Sequence, residues 1–141
     1  MSAPYIQNTI ELIDAAGRRM TAEIAGHHVY APHSGPNCSL TLTSPALVVS
    51  GTGPDYFDAF CRIREALAAH QILPLCYGAS KYVYPSGMCR DMGLGRRAYN
   101  RKLGEKPTSV DIFATGPDVE PVSVAEQRAY AEAAWEAARK R

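Results

Sequence analysis

Little in this chain belongs to a membrane, a metal or an oxidising compartment. It has no run of about 18 apolar residues, the length a membrane-spanning helix needs, and its opening MSAPYIQNTIEL lacks a basic stretch followed by an apolar one. An exported or membrane-bound protein is therefore not expected, and the cytoplasm is the default. The four cysteines, Cys38, Cys61, Cys76 and Cys89, show no CxxC spacing; in a reducing compartment they are free thiols, three of them packed as small hydrophobes. Net charge is small too. A formal +1 over 141 residues makes nucleic acid an unlikely partner, and a chain of this length buries about two-thirds of its unfolded surface as one domain, residues 1–141.

What is present is unevenly spread. From Lys81 to Lys106 seven Lys/Arg stand against Asp91 and Glu105, a local +5, so an electrostatic partner meets that surface. The same stretch, Ile72 to Gly104, concentrates glycine, tyrosine and arginine.

Ile6, Ile10 and Leu12 mark a strand to Asp14, Ala15 to Gly17 turn the chain, and Met20, Ala22 and Ile24 alternate with Thr21 and Glu23. This predicts a hairpin with one wet face. Gly26 suggests a bulge before His27 to Tyr30, and Pro32 to Asn37 reads as a loop. Leu40 and Leu42 predict a third strand, and the apolar Ala46 to Val49 a strand buried on both faces. Pro54 suits the first position of a helix lined by Tyr56, Phe60, Ile63 and Leu67, followed by a strand from Ile72 to Tyr77. Val110 to Phe113 is strand-like. Ser123 and Glu126 form a capping box before a helix with Val124, Ala131, Ala134, Trp135 and Ala138 as its packing stripe. The order β-β-β-β-α-β-α-β-α predicts an α+β domain: a mostly antiparallel sheet of about five or six strands with three helices packed largely on one face.

Pro85, the N-cap Ser86 and Gly104 punctuate a helix from about Gly87 to Leu103. At roughly 100° per residue, Met88, Met92, Gly95, Tyr99 and Leu103 gather on its packing side, and Arg90, Arg97 and Arg101 align opposite. The planar guanidinium fork pairs carboxylates and phosphates bidentately. With Tyr82 and Tyr84 nearby, the stripe is the candidate partner-binding surface, rich in the Tyr and Arg that protein interfaces favour.

Other constellations are incomplete. His27, His28, His33 and Cys38 have ligand chemistry, but HHx4Hx4C matches no familiar zinc spacing, so no metal or cofactor is expected. Cys89 beside Arg90 could be an activated thiol, yet nothing places His28 or His70 against it as a base. No catalytic residue is assigned. The alternative is a small-ligand protein or enzyme with a pocket around Tyr77, Ser86, Cys89 and Arg90.

Tyr84 to Met88, Arg90, Met92-Gly93, Gly95, Ala98-Tyr99 and Val110 to Phe113 give this chain a YPSGM-x-R-x-MG block and a VDIF strand. In these it resembles a group of small bacterial proteins, some of which neighbour Rhs-type polymorphic toxins. The resemblance covers about the C-terminal two-thirds, leaving Met1 to Leu42 outside it. It implies an immunity protein whose partner is a cognate toxin domain, and since the group has no assigned catalytic residues, none carries over. Because the chain is not acidic, the toxin expected is one with a neutral or acidic cleft, or one that binds an anionic cosubstrate the arginines mimic or exclude.

Overall fold

The structure is a computed structural model that describes residues 5–102 and 104–140. Alternation produces the first hairpin: β1 (Ile6–Asp14) pairs antiparallel with β2 (Arg19–Ala31), Leu12 opposite Met20 and Ile6 opposite Gly26. Asp14 Oδ1 accepts hydrogen bonds from the amides of Ala16 at 3.0 Å and Arg18 at 2.9 Å, and Gly17 takes φ +82, so the turn is closed by its own side chain. β3 (Gly35–Thr43) and β4 (Val48–Gly53) continue the meander, and β5 (Ile72–Pro74) joins the far side of β1. The antiparallel order is β4-β3-β2-β1-β5.

Two expectations about this sheet are corrected. β2 runs through Gly26 in unbroken register with no bulge. A Cβ there would lie 2.5 Å from Leu40 Cδ2 and 2.9 Å from the Ser39 carbonyl, so glycine is required by close packing. β4 is an edge strand that α1 covers on the face of Val49 and Gly51, and Val48, expected inside, alternates to the other face and is 62% exposed.

α1 (Tyr56–Ala68) packs across β3, β4 and β5. Asp55 is its N-cap, accepting from the Asp58 amide at 2.7 Å, so Pro54, expected at the first helical position, precedes the helix. The helix is buried on more than one side: Tyr56, Ala59 and Ile63 join Phe57, Phe60, Arg64 and Leu67 among residues closed to water. A second layer explains this. After a single 3-10 turn at Tyr77–Ala79 come β6 (Val83–Tyr84), α2 (Gly87–Gly93), β7 (Arg97–Asn100) and β8 (Thr108–Asp111), with β6-β7-β8 forming an antiparallel sheet. Phe60 meets Phe113 and Phe57 meets Tyr84, each edge-on with centroids 5.2 Å apart. α3 (Val124–Arg139) lies on β6 and α1. The described residues thus make eight strands and three helices, an α+β fold, with one buried cluster running from Ile6 through Phe60 to Val83, Ala98 and Ile112. Among them no helix is long and apolar enough to cross a membrane.

The helix expected from Gly87 to Leu103 ends at Gly93, and Leu103 itself lies outside the described residues. Leu94 turns left-handed at φ 54, and the amides of Leu94 and Gly95 both donate to the Cys89 carbonyl. Tertiary contact decides the matter. Leu94 is 8% exposed, and its carbonyl accepts from the Tyr56 amide at 2.7 Å. With Gly93 and Gly95 each weakening helix by about 1 kcal/mol, that docking wins.

Candidate recognition surface

The residues once aligned on a helix are divided between two elements. Arg90 belongs to α2 and faces inward: its Nη1 lies 2.8 Å from Asp55 Oδ2 and 3.2 Å from Asp58 Oδ1, and its guanidinium covers the rings of Phe57 and Tyr84. Asp55 caps α1 with its other oxygen, so the Arg90 pair ties α2 to the start of α1. Arg90 is a structural residue, not part of an exposed stripe. Met88 and Met92, expected to pack, are instead 70% and 82% exposed. The helical period was right but its phase was inverted, because a guanidinium offered two carboxylates outranks two methionines as an anchor.

Arg97 opens β7 and Arg101 directly follows it. In an extended chain residues 97, 99 and 101 share a side as residues 97 and 101 do on a helix, so these two guanidinium groups stay aligned with Tyr99 between them. Ala98 and Asn100 point the other way and are buried. Arg97 donates from Nε to Ser109 Oγ at 2.9 Å and from Nη2 to the Ser109 carbonyl at 3.1 Å, which fixes it across β8 while leaving it exposed. The Arg101 guanidinium lies 5.3 Å from the Tyr99 ring centre, a cation–π contact that keeps both groups extended. Tyr84 pairs with Tyr99 across the strands but is half-buried between Phe57 and Trp135. Tyr82 stacks edge-on against Tyr130 at 5.1 Å, with the Lys81 ammonium over both rings. The strip that sequence reasoning approximated is therefore Arg97, Tyr99 and Arg101, bordered by Tyr82 and Tyr84.

The alternative grouping does not converge. The Tyr77 hydroxyl donates to Asp118 Oδ1 at 2.7 Å, Ser86 Oγ accepts from the Cys89 amide at 3.1 Å as the cap of α2, and Arg90 is held by Asp55. Clefts open elsewhere, beside Arg64 and α3, and beside Tyr82, Lys102 and Asp118, and neither is lined by Ser86, Cys89 or Arg90. The thiols behave as expected of a core: burial pushes Cys38 up to about 11 and Cys76 up to about 12, so both stay protonated at neutral pH. All four cysteines are free. Among the described residues no three His, Cys, Asp or Glu side chains gather as metal ligands. His27 and His28 point to opposite sides of β2, and His28 Nδ1 lies 2.7 Å from the Tyr56 hydroxyl.

One feature escaped sequence reasoning. Tyr5 and Tyr30, 62% and 68% exposed, close on His28 with ring centres 4.3 Å and 5.7 Å away. The alternation in His28-Val-Tyr30 carried the signal, since it puts both rings on the sheet's inner side at the start of α1. Beneath them burial pushes the Tyr56 hydroxyl up to about 12.

In comparisons with known proteins, no family model matches the chain and no curated sequence matches it.

Proposed function

We propose that this chain is an immunity protein that neutralises a cognate Rhs- or type VI-like bacterial toxin in the cytoplasm by covering the toxin's active site. The observation that carries the reading is the outward strip of β7, where Arg97 and Arg101 flank Tyr99. Tyr and Arg supply most interface hot spots, because each couples a large apolar contact to a directed polar group. Held by Ser109 and by the Tyr99 ring, the two guanidiniums lose little freedom on docking, so a carboxylate-bearing partner surface gains their hydrogen bonds at low entropic cost. The YPSGM-x-R-x-MG block supports the reading through its resemblance to toxin-neighbouring proteins, and the fold gives it a concrete part: Arg90 and Ser86 build the short helix that leads into the strip.

The partner's matching face is acidic or neutral, and it acts without a cofactor from this chain. Co-expression with the toxin encoded beside it tests the proposal. Cells survive with the wild-type chain, and R97E/R101E, which keeps the fold but reverses the strip's sign, loses protection. Death at the same rate with and without the wild-type chain sinks the reading.

A further inference from the structure

The five-stranded sheet is guarded differently along its width. Across β1 and β2 the wet face carries Glu11, Arg19 and Glu23, with Arg19 paired to Glu11 at 3.2 Å. Toward β4 this stops: no Asp, Glu, Lys or Arg occurs from Ser34 to Pro54, the stretch that forms β3 and β4. Edge strands normally carry a charge, a proline or a bulge that keeps other strands away. β4 has none of these between Val48 and Gly53, and its register with β3 is regular throughout.

Which of its backbone groups are free follows from the turn that precedes it. The Ser44 amide donates to the Leu47 carbonyl at 3.0 Å, so that pair is hydrogen-bonded, and alternation gives the ladder bonds to Leu42–Val49, Leu40–Gly51 and Cys38–Gly53. Thr41 and Ser50 then form a close, non-bonded pair, in keeping with the 3.1 Å between their hydroxyls. The N–H and C=O groups of Val48, Ser50 and Thr52 therefore point off the edge, where among the described residues no other backbone takes them. Their side chains are all exposed.

We propose that this edge pairs with a second copy of the chain, β4 against β4, about a two-fold axis at Ser50. That register sets Ser50 opposite Ser50 and Val48 opposite Thr52, and each outward residue exchanges both N–H···O bonds with its mate. α1 fits the same axis. Gly53 lies under Asp58 and Ala59, and Gly51 under Ala59, Arg62 and Ile63, so the helix runs back along β4. At about 3.3 Å per strand residue and about 1.5 Å per helix residue, the level of Ser50 falls between Arg62 and Glu65. Both side chains are exposed and their charges are opposite. The two-fold thus sets Arg62 of each copy beside Glu65 of the other, a complementarity that a strand from an unrelated protein has no reason to match.

Sedimentation equilibrium of the full chain, with amide exchange followed by NMR, tests this. A monomer–dimer equilibrium with Kd on the order of 100 µM is expected for so short a strand pair. Exchange slows at Val48, Ser50 and Thr52 as concentration rises, while Val49 and Gly51 are protected throughout. Ser50→Lys, which leaves the ladder to β3 untouched, sets like charges face to face and abolishes the dimer. Arg62→Glu weakens it about tenfold, and Arg62→Glu together with Glu65→Arg restores it. R97E/R101E, on the other sheet, leaves it unchanged, so this proposal and the toxin-binding reading fail separately. A chain that stays monomeric up to about 1 mM overturns a second copy as the occupant. A dimer indifferent to Ser50→Lys overturns the edge as its seat, and a charge-swapped variant as weak as Arg62→Glu overturns the register.

Discussion

Arg90 holds α2 against the start of α1 through Asp55, whose side chain is 5% exposed, and Asp58. Removing one partner of a fully buried ion pair costs roughly 3–5 kcal/mol, since the other charge is stranded. Arg90's own side chain is 26% exposed, which screens part of that. Arg90→Ala is therefore expected to lower stability by about 2 kcal/mol, seen as a lower urea midpoint at unchanged m-value. A second residue-scale effect appears with pH. The Tyr77 hydroxyl, and after it the amide of Asn100 at 2.8 Å, hold the Asp118 carboxyl below its ordinary 3.8. A depressed folded-state value means the stabilisation is complete above 3.8 and is lost as pH falls through the folded value. Tyr77→Phe removes the leading cause. The stability gap between wild type and Tyr77→Phe is thus widest at neutral pH and narrows below pH 3.8; a gap that stays constant down to acid pH would contradict this account.

At the scale of elements, α2 is short because its exit is docked. Gly95 takes φ +71, and a Cβ there would stand 3.0 Å from both Asp55 Oδ1 and the Phe57 amide. Gly95→Ala is expected to cost about 2 kcal/mol from strain and crowding together. Met88→Gln with Met92→Gln, on the exposed side of the same helix, is expected to change stability by less than about 0.5 kcal/mol. Paired denaturant curves check both. If the methionine variant is the costlier one, α2 is anchored by the opposite face. This inversion shows what was legible in the sequence. The β1–β2 hairpin, the face of α1 and the Ser123–Glu126 capping box were readable because alternation, period and caps are local. The end of α2 was not, because it is set by Leu94 docking on Tyr56, far away in the chain. The period of Met88, Arg90 and Met92 was visible, but its phase depended on where Asp55 and Asp58 would lie. Arg97 and Arg101 kept their common side only because spacing of four suits a strand and a helix alike, which is why the candidate strip outlived the helix that suggested it.

For the molecule as a whole, the question is whether the two sheets unfold together. Gln127, a polar residue of α3, is 1% exposed and joins the layers. Its Nε2 donates to the carbonyls of Gly78, Ser80 and Val83 at 3.0, 2.9 and 2.8 Å, and its Oε1 accepts from Arg64 of α1. These bonds gather α1, the 3-10 turn, β6 and α3 onto one side chain, inside a cluster that is continuous with the five-stranded sheet. A shared core predicts one cooperative transition. The single tryptophan, Trp135 on α3, packs on Tyr84 of β6 and reports the second layer, while far-UV circular dichroism, dominated by helix, reports α1 on the larger sheet together with α3. In the wild type the two probes are expected to trace coincident denaturant curves. Gln127→Leu keeps the volume but strands the Val83 carbonyl, leaves those of Gly78 and Ser80 to Arg64 and the Val83 amide alone, and takes an acceptor from a buried guanidinium, a loss of about 3 kcal/mol. If the network is what couples the layers, the tryptophan transition in that variant moves to lower denaturant than the circular dichroism transition. If both curves move down together and stay superimposed, the apolar cluster alone couples the two sheets, and the polar network contributes stability without cooperativity.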